Sequence, residues 1–119
     1  MTIPTRLSEI VFPNHCNHLG TLFGGQALAW MDKAAYLAAV RHAGGVVVTV
    51  CSERVEFRRP VKLGDVIDID ASIRRCGKSS ITVDVVLWRT FGSQRELATQ
   101  GSFVMVAVDE HGKARALSS

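Results

Sequence analysis

A chain of 119 residues, 47% hydrophobic and 21% charged with both signs interspersed, has the material for one domain around one core and excludes a multidomain machine. The net charge of +3, with a pI near 9.0, suits anionic small molecules as well as nucleic acid and excludes neither. No stretch approaches the roughly 18 uninterrupted apolar residues of a membrane span, and the N-terminus Met1-Thr2-Ile3-Pro4-Thr5-Arg6 has no apolar signal region, so a cytoplasmic protein without a membrane role is expected.

Residues 1–119 read as one continuous unit, with no repeat, linker or low-complexity tract. Thr5 to Phe12 alternates as a first strand and stops at the turn-favouring Pro13-Asn14. A loop carries Asn17. From Gly24 to His42, Ala27, Leu28, Met31, Ala34, Ala35 and Ala38 recur at spacings of three and four, predicting one helix of about five turns that is buried on most sides. Arg41 and His42 suit its C-terminal dipole, and Gly44 can cap it.

Strands fill the remainder. Val46 to Cys51 is a β-branched run, Val55 and Phe57 lead to a stop at Pro60, and Leu63-Gly64-Asp65 is a turn. Ile67, Ile69, Ala71 and Ile73 alternate with Asp68, Asp70, Ser72 and Arg74, giving a strand with one wet face. After a turn at Cys76-Gly77-Lys78, Ile81 to Arg89 keeps the period of two, and a last strand runs from about Leu97 to Val108. The layout is α+β: one long helix and four or five antiparallel strands that must wrap it. Val86 and Trp88, on the nominally outer face of their strand, point towards a subunit contact.

Chemistry concentrates between Asn17 and Asp32. A carboxylate among Leu28, Trp30, Met31, Ala34 and Ala35 is costly unless it has a partner or serves as a base. Phe23-Gly24-Gly25 begins the helix, where unpaired N–H groups carry partial positive charge and glycine lets a ligand reach the backbone. A carbonyl oxygen developing negative charge would suit that position. Each feature also has a plain structural reading: a tight helix start for the glycines, a satisfied polar group for Asp32, turn chemistry for Asn17. Eight residues of helix separate Gly24 from Asp32 by roughly 12 Å, whereas both would need to lie about 3 Å from one reacting centre. If they act together, a symmetric dimer in which the helix N-terminus of one subunit faces Asp32 of the other solves the geometry.

The pattern Asn17-x-x-Gly20-x-x-Phe23-Gly24-Gly25-x-x-Leu28-x-x-Met31-Asp32 resembles the signature of hotdog-fold acyl-CoA thioesterases, in particular the YciA-like and brain acyl-CoA hydrolase branch. The resemblance continues through Val55-x-Phe57-x-x-Pro60-Val61-x-x-Gly64-Asp65, Gly77-x-Ser79-Ser80 and Phe103-x-Met105-Val106-Ala107-Val108-Asp109, so it spans nearly the whole chain. His15-Cys16 stands where the family often has Asp-Thr, and Ala35 where it often has glycine.

The resemblance implies a helix wrapped by a five-stranded antiparallel sheet, dimers with shared active sites and often a hexamer built as a trimer of dimers. It also implies hydrolysis of acyl-CoA to free acid and CoA, within fatty acid metabolism. Residue by residue, Asp32 matches the catalytic carboxylate acting as general base or nucleophile, Asn17 the asparagine that helps hold water or substrate, and Gly24 the backbone donor to the thioester oxygen. Gly25, Arg58, Arg59, Lys78, Ser79 and Ser80 are the candidate contacts for substrate and CoA, with Lys62, Arg74 and Arg75 as further cations. No metal or other cofactor is expected, because a base-activated water and an oxyanion donor suffice for a thioester.

Other classes weigh against this reading. A non-catalytic acyl-CoA sensor of the same fold is the main alternative. Cys16, flanked by His15 and His18, offers a thiol nucleophile, while a zinc site would need a further ligand cluster. The basic residues are dispersed among acidic ones and form no nucleic-acid-binding motif, so no nucleic-acid partner is expected. The three cysteines, Cys16, Cys51 and Cys76, form no Cys-x-x-Cys pair and read as reduced thiols.

Overall fold

The structure, a computed structural model, describes residues 4–117; residues 1–3, part of the N-terminal stretch read above for targeting signals, and 118–119 lie outside it. Strand β1 (Thr5–Ile10) is followed by a 3-10 turn at Pro13–His15, helix α1 (Gly24–Ala43), and strands β2 (Val47–Phe57), β3 (Val66–Cys76), β4 (Ser80–Phe91) and β5 (Gln94–Ala107). The strands form one antiparallel sheet in the order β1-β3-β4-β5-β2. One helix against a five-stranded antiparallel sheet is the hotdog arrangement. No helix among the described residues is long and apolar enough to cross a membrane.

Period-two patterning sets the sheet faces. Ile67, Ile69 and Ala71 on β3 and Ile81, Val83, Val85 and Leu87 on β4 are fully buried under α1, whereas Asp68, Asp70 and Ser72 lie on the opposite face. From the helix, Ala27, Trp30, Met31, Ala34, Ala35, Ala38 and Ala39 complete the core. The alanines let the helix lie close to the sheet, and Gly44 (φ 70°) ends it in the left-handed conformation that glycine takes without strain.

Three details differ from the sequence expectation. The first strand ends at Ile10, because Pro13 starts the 3-10 turn rather than following the strand directly. Val47–Cys51 and Val55–Phe57 belong to one strand, β2, with Val46 just before it; instead of a break, the strand carries register shifts between Thr49 and Cys51 and between Glu53 and Glu56, with a left-handed Arg54 (φ 52°). Strand β5 begins at Gln94 rather than about Leu97; on the outer face Arg95 lies over the Trp88 ring, 4.1 Å from its centroid.

The sheet therefore has two edges, β1 and β2. Almost all of β2 is exposed, including Val48 and Val50, and its outer backbone groups have no strand partner among the described residues.

Candidate active site

The loop before α1 is organised by Asn17. Its Oδ1 accepts hydrogen bonds from the N–H groups of Leu19 (3.0 Å) and Thr21 (3.1 Å) and from the Thr21 hydroxyl (3.1 Å). Two of these are backbone donors, so the oxygen is identified by its partners, and the amide NH2 makes no hydrogen bond among the described residues. Gly20, at φ 76°, makes the reversal that closes this loop, and Leu22 N–H donates to Val61 O at 2.7 Å, tying the loop to the segment after β2. Asn17 is thus the hub of this loop through its side-chain oxygen.

Helix α1 starts with no side-chain cap at Phe23, and the Gly24 and Gly25 N–H groups make no backbone hydrogen bond among the described residues. A helix N-terminus left open in this way can receive an oxygen carrying negative charge. A cavity of about 290 Å³ opens beside Gly24. Buried Ala27, Val61 and Thr99, with Leu22, form its floor; Phe57, Arg58 and Arg59 stand at its exposed rim.

The rim is braced from behind. Arg58 and Arg59 both donate their backbone N–H to Ala98 O, at 2.8 and 3.1 Å. Arg59 lies 3.8 Å from Glu96, which accepts from Arg89 at 2.9 Å, and Arg89 also donates to Asp65 at 2.9 Å. The hydrogen bonds that Arg89 donates to Asp65 and Glu96 raise its pKa above its ordinary value despite the cost of burial. Arg58 and Arg59 are themselves more than half exposed, which leaves their guanidinium groups accessible to an anion.

Asp32 lies two turns further along α1 and does not line this cavity. Its Oδ1 accepts the Thr49 hydroxyl at 2.7 Å, while Oδ2 makes no hydrogen bond among the described residues. Thr49 Oγ1 also sits 3.2 Å from the sulfur of buried Met105, so its position is fixed and its one proton goes to the carboxylate. Asp32 is half-buried rather than enclosed in the core, and with one oxygen bonded to Thr49 it keeps the other available. Because Thr49 belongs to β2, that oxygen stands beside the open sheet edge.

Lys78, Ser79 and Ser80 lie in the β3–β4 turn, closed by Gly77 N–H donating to Ser80 O at 2.8 Å. Cys76, next to that turn, touches His42 (Sγ to Nε2, 3.3 Å) at the far end of α1. Eighteen helical residues, roughly 27 Å, separate His42 from Gly24. One chain therefore brings Gly24, Arg58 and Arg59 to one cavity, with Asn17 bonded to the Thr21 that also lines it and Gly25 next to Gly24 in the chain; Asp32 and the Lys78–Ser80 turn do not line it.

Cys16 and His15 are engaged otherwise, and His18 is exposed. His15 Nδ1 accepts the Phe12 N–H at 3.0 Å and the ring packs edge-on against Trp30 at 4.8 Å, while the Cys16 thiol faces Phe12 O at 3.6 Å. Among the described residues, no three His, Cys, Asp or Glu side chains are grouped to hold a metal ion. Thr49 and Phe57 are the two site residues that patterning did not single out for chemistry; one sits in a β-branched run and the other at a strand end.

Residues 19–94 match the family model described as Thioesterase superfamily. The acyl-CoA thioester hydrolase YciA of Escherichia coli is 37% identical over 116 residues, covering 93% of this chain and 88% of the relative. Among solved structures, the hexameric thioesterase of Yersinia pestis superposes with a TM-score of 0.90 at 39% identity, covering 95% of this chain and 93% of that one. The acyl-CoA hydrolase of Staphylococcus aureus, solved with butyryl-CoA, CoA and CoA disulfide, superposes with a TM-score of 0.94 at 32% identity, covering 98% and 72%. It has also been solved with single asparagine, aspartate and threonine residues replaced by alanine.

Proposed function

From the premise that this chain belongs to the thioesterase superfamily and is an acyl-CoA thioester hydrolase, we propose that it hydrolyses acyl-CoA in the cytoplasm at sites shared between two copies, each chain forming one hotdog unit. In this reading the thioester carbonyl oxygen points at the Gly24 N–H of one subunit, and Asp32 of the other takes the proton from the attacking water. Water adds to the carbonyl carbon, the C–S bond breaks, and CoA leaves as the thiol with the free acid as co-product.

The observation that carries this proposal is the split within one chain. The open helix terminus and its cavity lie roughly 12 Å from Asp32 on the same helix, while Asp32 is bonded to the edge strand β2. A second chain pairing antiparallel along β2 about a twofold axis would approach on the Asp32 side and could supply the missing half to each site. The hexameric relatives make a trimer of such dimers the natural assembly to propose.

Each residue then has a role. Thr49 holds Oδ1 of Asp32, leaving Oδ2 for the water. The NH2 of Asn17 can hold that water or the carbonyl, since its own oxygen is fully engaged. The asparagine, aspartate and threonine replaced in the S. aureus hydrolase occur in the same order and at the same spacing as Asn17, Asp32 and Thr49, which supports these three assignments. Gly25 gives backbone clearance, Arg58 and Arg59 offer charge to CoA phosphates, and the Lys78-Ser79-Ser80 turn can contribute only from another subunit. The reaction so written needs no cofactor beyond the CoA of the substrate.

Thiol release from a panel of acyl-CoAs tests the assignment. Native protein should hydrolyse them, and Asp32→Ala should lose about 10²- to 10⁴-fold in kcat, the range of a general base. Equal rates for the two proteins would refute Asp32 as the base.

A further inference from the structure

The cavity beside Gly24 carries information about which acyl group is accepted, an inference that rests on the hydrolase reading above. We propose that this cavity holds the acyl chain, and that Ala27 on its floor and Phe57 at its rim set the preferred chain length.

The argument begins with what surrounds the space. Ala27, Val61 and Thr99 are each less than 5% exposed, and Leu22 joins them, so the floor is nearly all hydrocarbon. The Thr21 hydroxyl nearby is committed to Asn17, leaving Thr99 as the polar side chain on the floor. The pantetheine arm of CoA carries two amides that need hydrogen-bond partners, and the floor side chains offer the Thr99 hydroxyl alone; an alkyl chain needs none. The cationic groups, Arg58 and Arg59, stand at the rim, where an anionic portion would remain outside.

Position agrees with composition. An ideal Cβ placed on Gly24 would lie 3.4 Å from Phe57 Cζ, so the ring stands directly over the helix N-terminus where the carbonyl is proposed to bind. A chain leaving that carbonyl must pass the ring to reach the floor. In the single chain the ring is 54% exposed and lies outside the buried core. The cavity is about 290 Å³, so it takes in a chain of limited length. Longer chains would have to leave part of their length in solvent.

The decisive experiment compares kcat/KM over straight-chain acyl-CoAs from acetyl to palmitoyl for native protein, Ala27→Leu and Phe57→Ala. Within the cavity each added methylene should raise native kcat/KM by about fourfold until the space is full. Ala27→Leu fills the floor, and the octanoyl-to-acetyl ratio should fall tenfold or more. Phe57→Ala opens the rim and should move the optimum to longer chains; because the ring is exposed, this variant keeps the test decisive even if Ala27→Leu does not fold. If folded variants change every chain length by one common factor, the acyl-cavity proposal is overturned while the hydrolase reading stands. Absence of hydrolysis by native protein at every length would overturn both.

Discussion

At one edge of the sheet, β1 sets Arg6 and Ser8 against carboxylates of its inner neighbour: Arg6 makes two hydrogen bonds to Asp70, at 2.7 and 3.0 Å, and Ser8 donates to Asp68 at 2.7 Å. At the other edge, β2 exposes Val48 and Val50, 46% and 59% accessible, along an eleven-residue strand. Both edges have unpaired backbone groups on one side, but their side chains treat a second chain differently. Charged, ion-paired edges discourage strand addition, and long apolar ones invite it. The difference also maps onto chemistry, since Asp32 is bonded through Thr49 to the inviting edge and has no counterpart at the other.

The largest expected effect breaks the comparison at β2. Val48→Lys combined with Val50→Lys places two cations along the edge, and like charges facing one another across a twofold should yield monomers with at least about a hundredfold lower hydrolysis. Sedimentation and thiol release on the same sample check this. A monomer with native activity would mean that β2 has nothing to do with completing the site.

Thr49→Ala isolates the link between β2 and the base. With Asp32 freed from its one side-chain partner, kcat should fall about tenfold with the dimer intact, and Thr49→Ser should recover most of the loss because it keeps the hydroxyl. A loss that serine does not recover would point to packing against Met105 instead.

The smallest effect belongs to β1. The Asp70 carboxyl lies below its ordinary value of 3.8, chiefly through its hydrogen bonds to Arg6, with burial opposing and the charges of Arg6 and Arg95 assisting. A depressed carboxyl pKa contributes stability above its unfolded value and loses it as pH falls through the folded one. Arg6→Met should therefore cost about 0.5–1 kcal/mol near pH 7, a modest figure because Arg6 is half exposed, and the deficit should shrink below about pH 4. Denaturant melts across pH read this directly, and oligomeric state and hydrolysis should not change.

How much of this was legible in the sequence depends on whether a residue's role is local. The helix was readable from its three- and four-residue spacing, and Asp32 stood out because a charge in that stripe needs a reason. The strands of β3 and β4 followed from period two. Thr49 was hidden because a threonine in Val46–Cys51 is what any strand would contain; its meaning comes from Asp32, seventeen positions away in the chain but 2.7 Å away in space. The continuity of β2 was hidden by Ser52-Glu53-Arg54, which looks like a break until pairing with β5 is known. Arg58 and Arg59 sit at the cavity, whereas Lys78, Ser79 and Ser80 sit at the other end of α1, a separation set by how β3 and β4 lie along the helix.

The central claim, that each site is assembled from two chains, is tested most directly by co-expressing Asp32→Ala and Asn17→Ala chains and measuring acyl-CoA hydrolysis by the mixture. Random pairing makes half of the dimers mixed, and each mixed dimer holds one site with both residues intact, so the mixture should show about a quarter of native activity while each variant alone is nearly inactive. A mixture no more active than the separate variants, with mixed dimers verified by mass, would contradict the shared site.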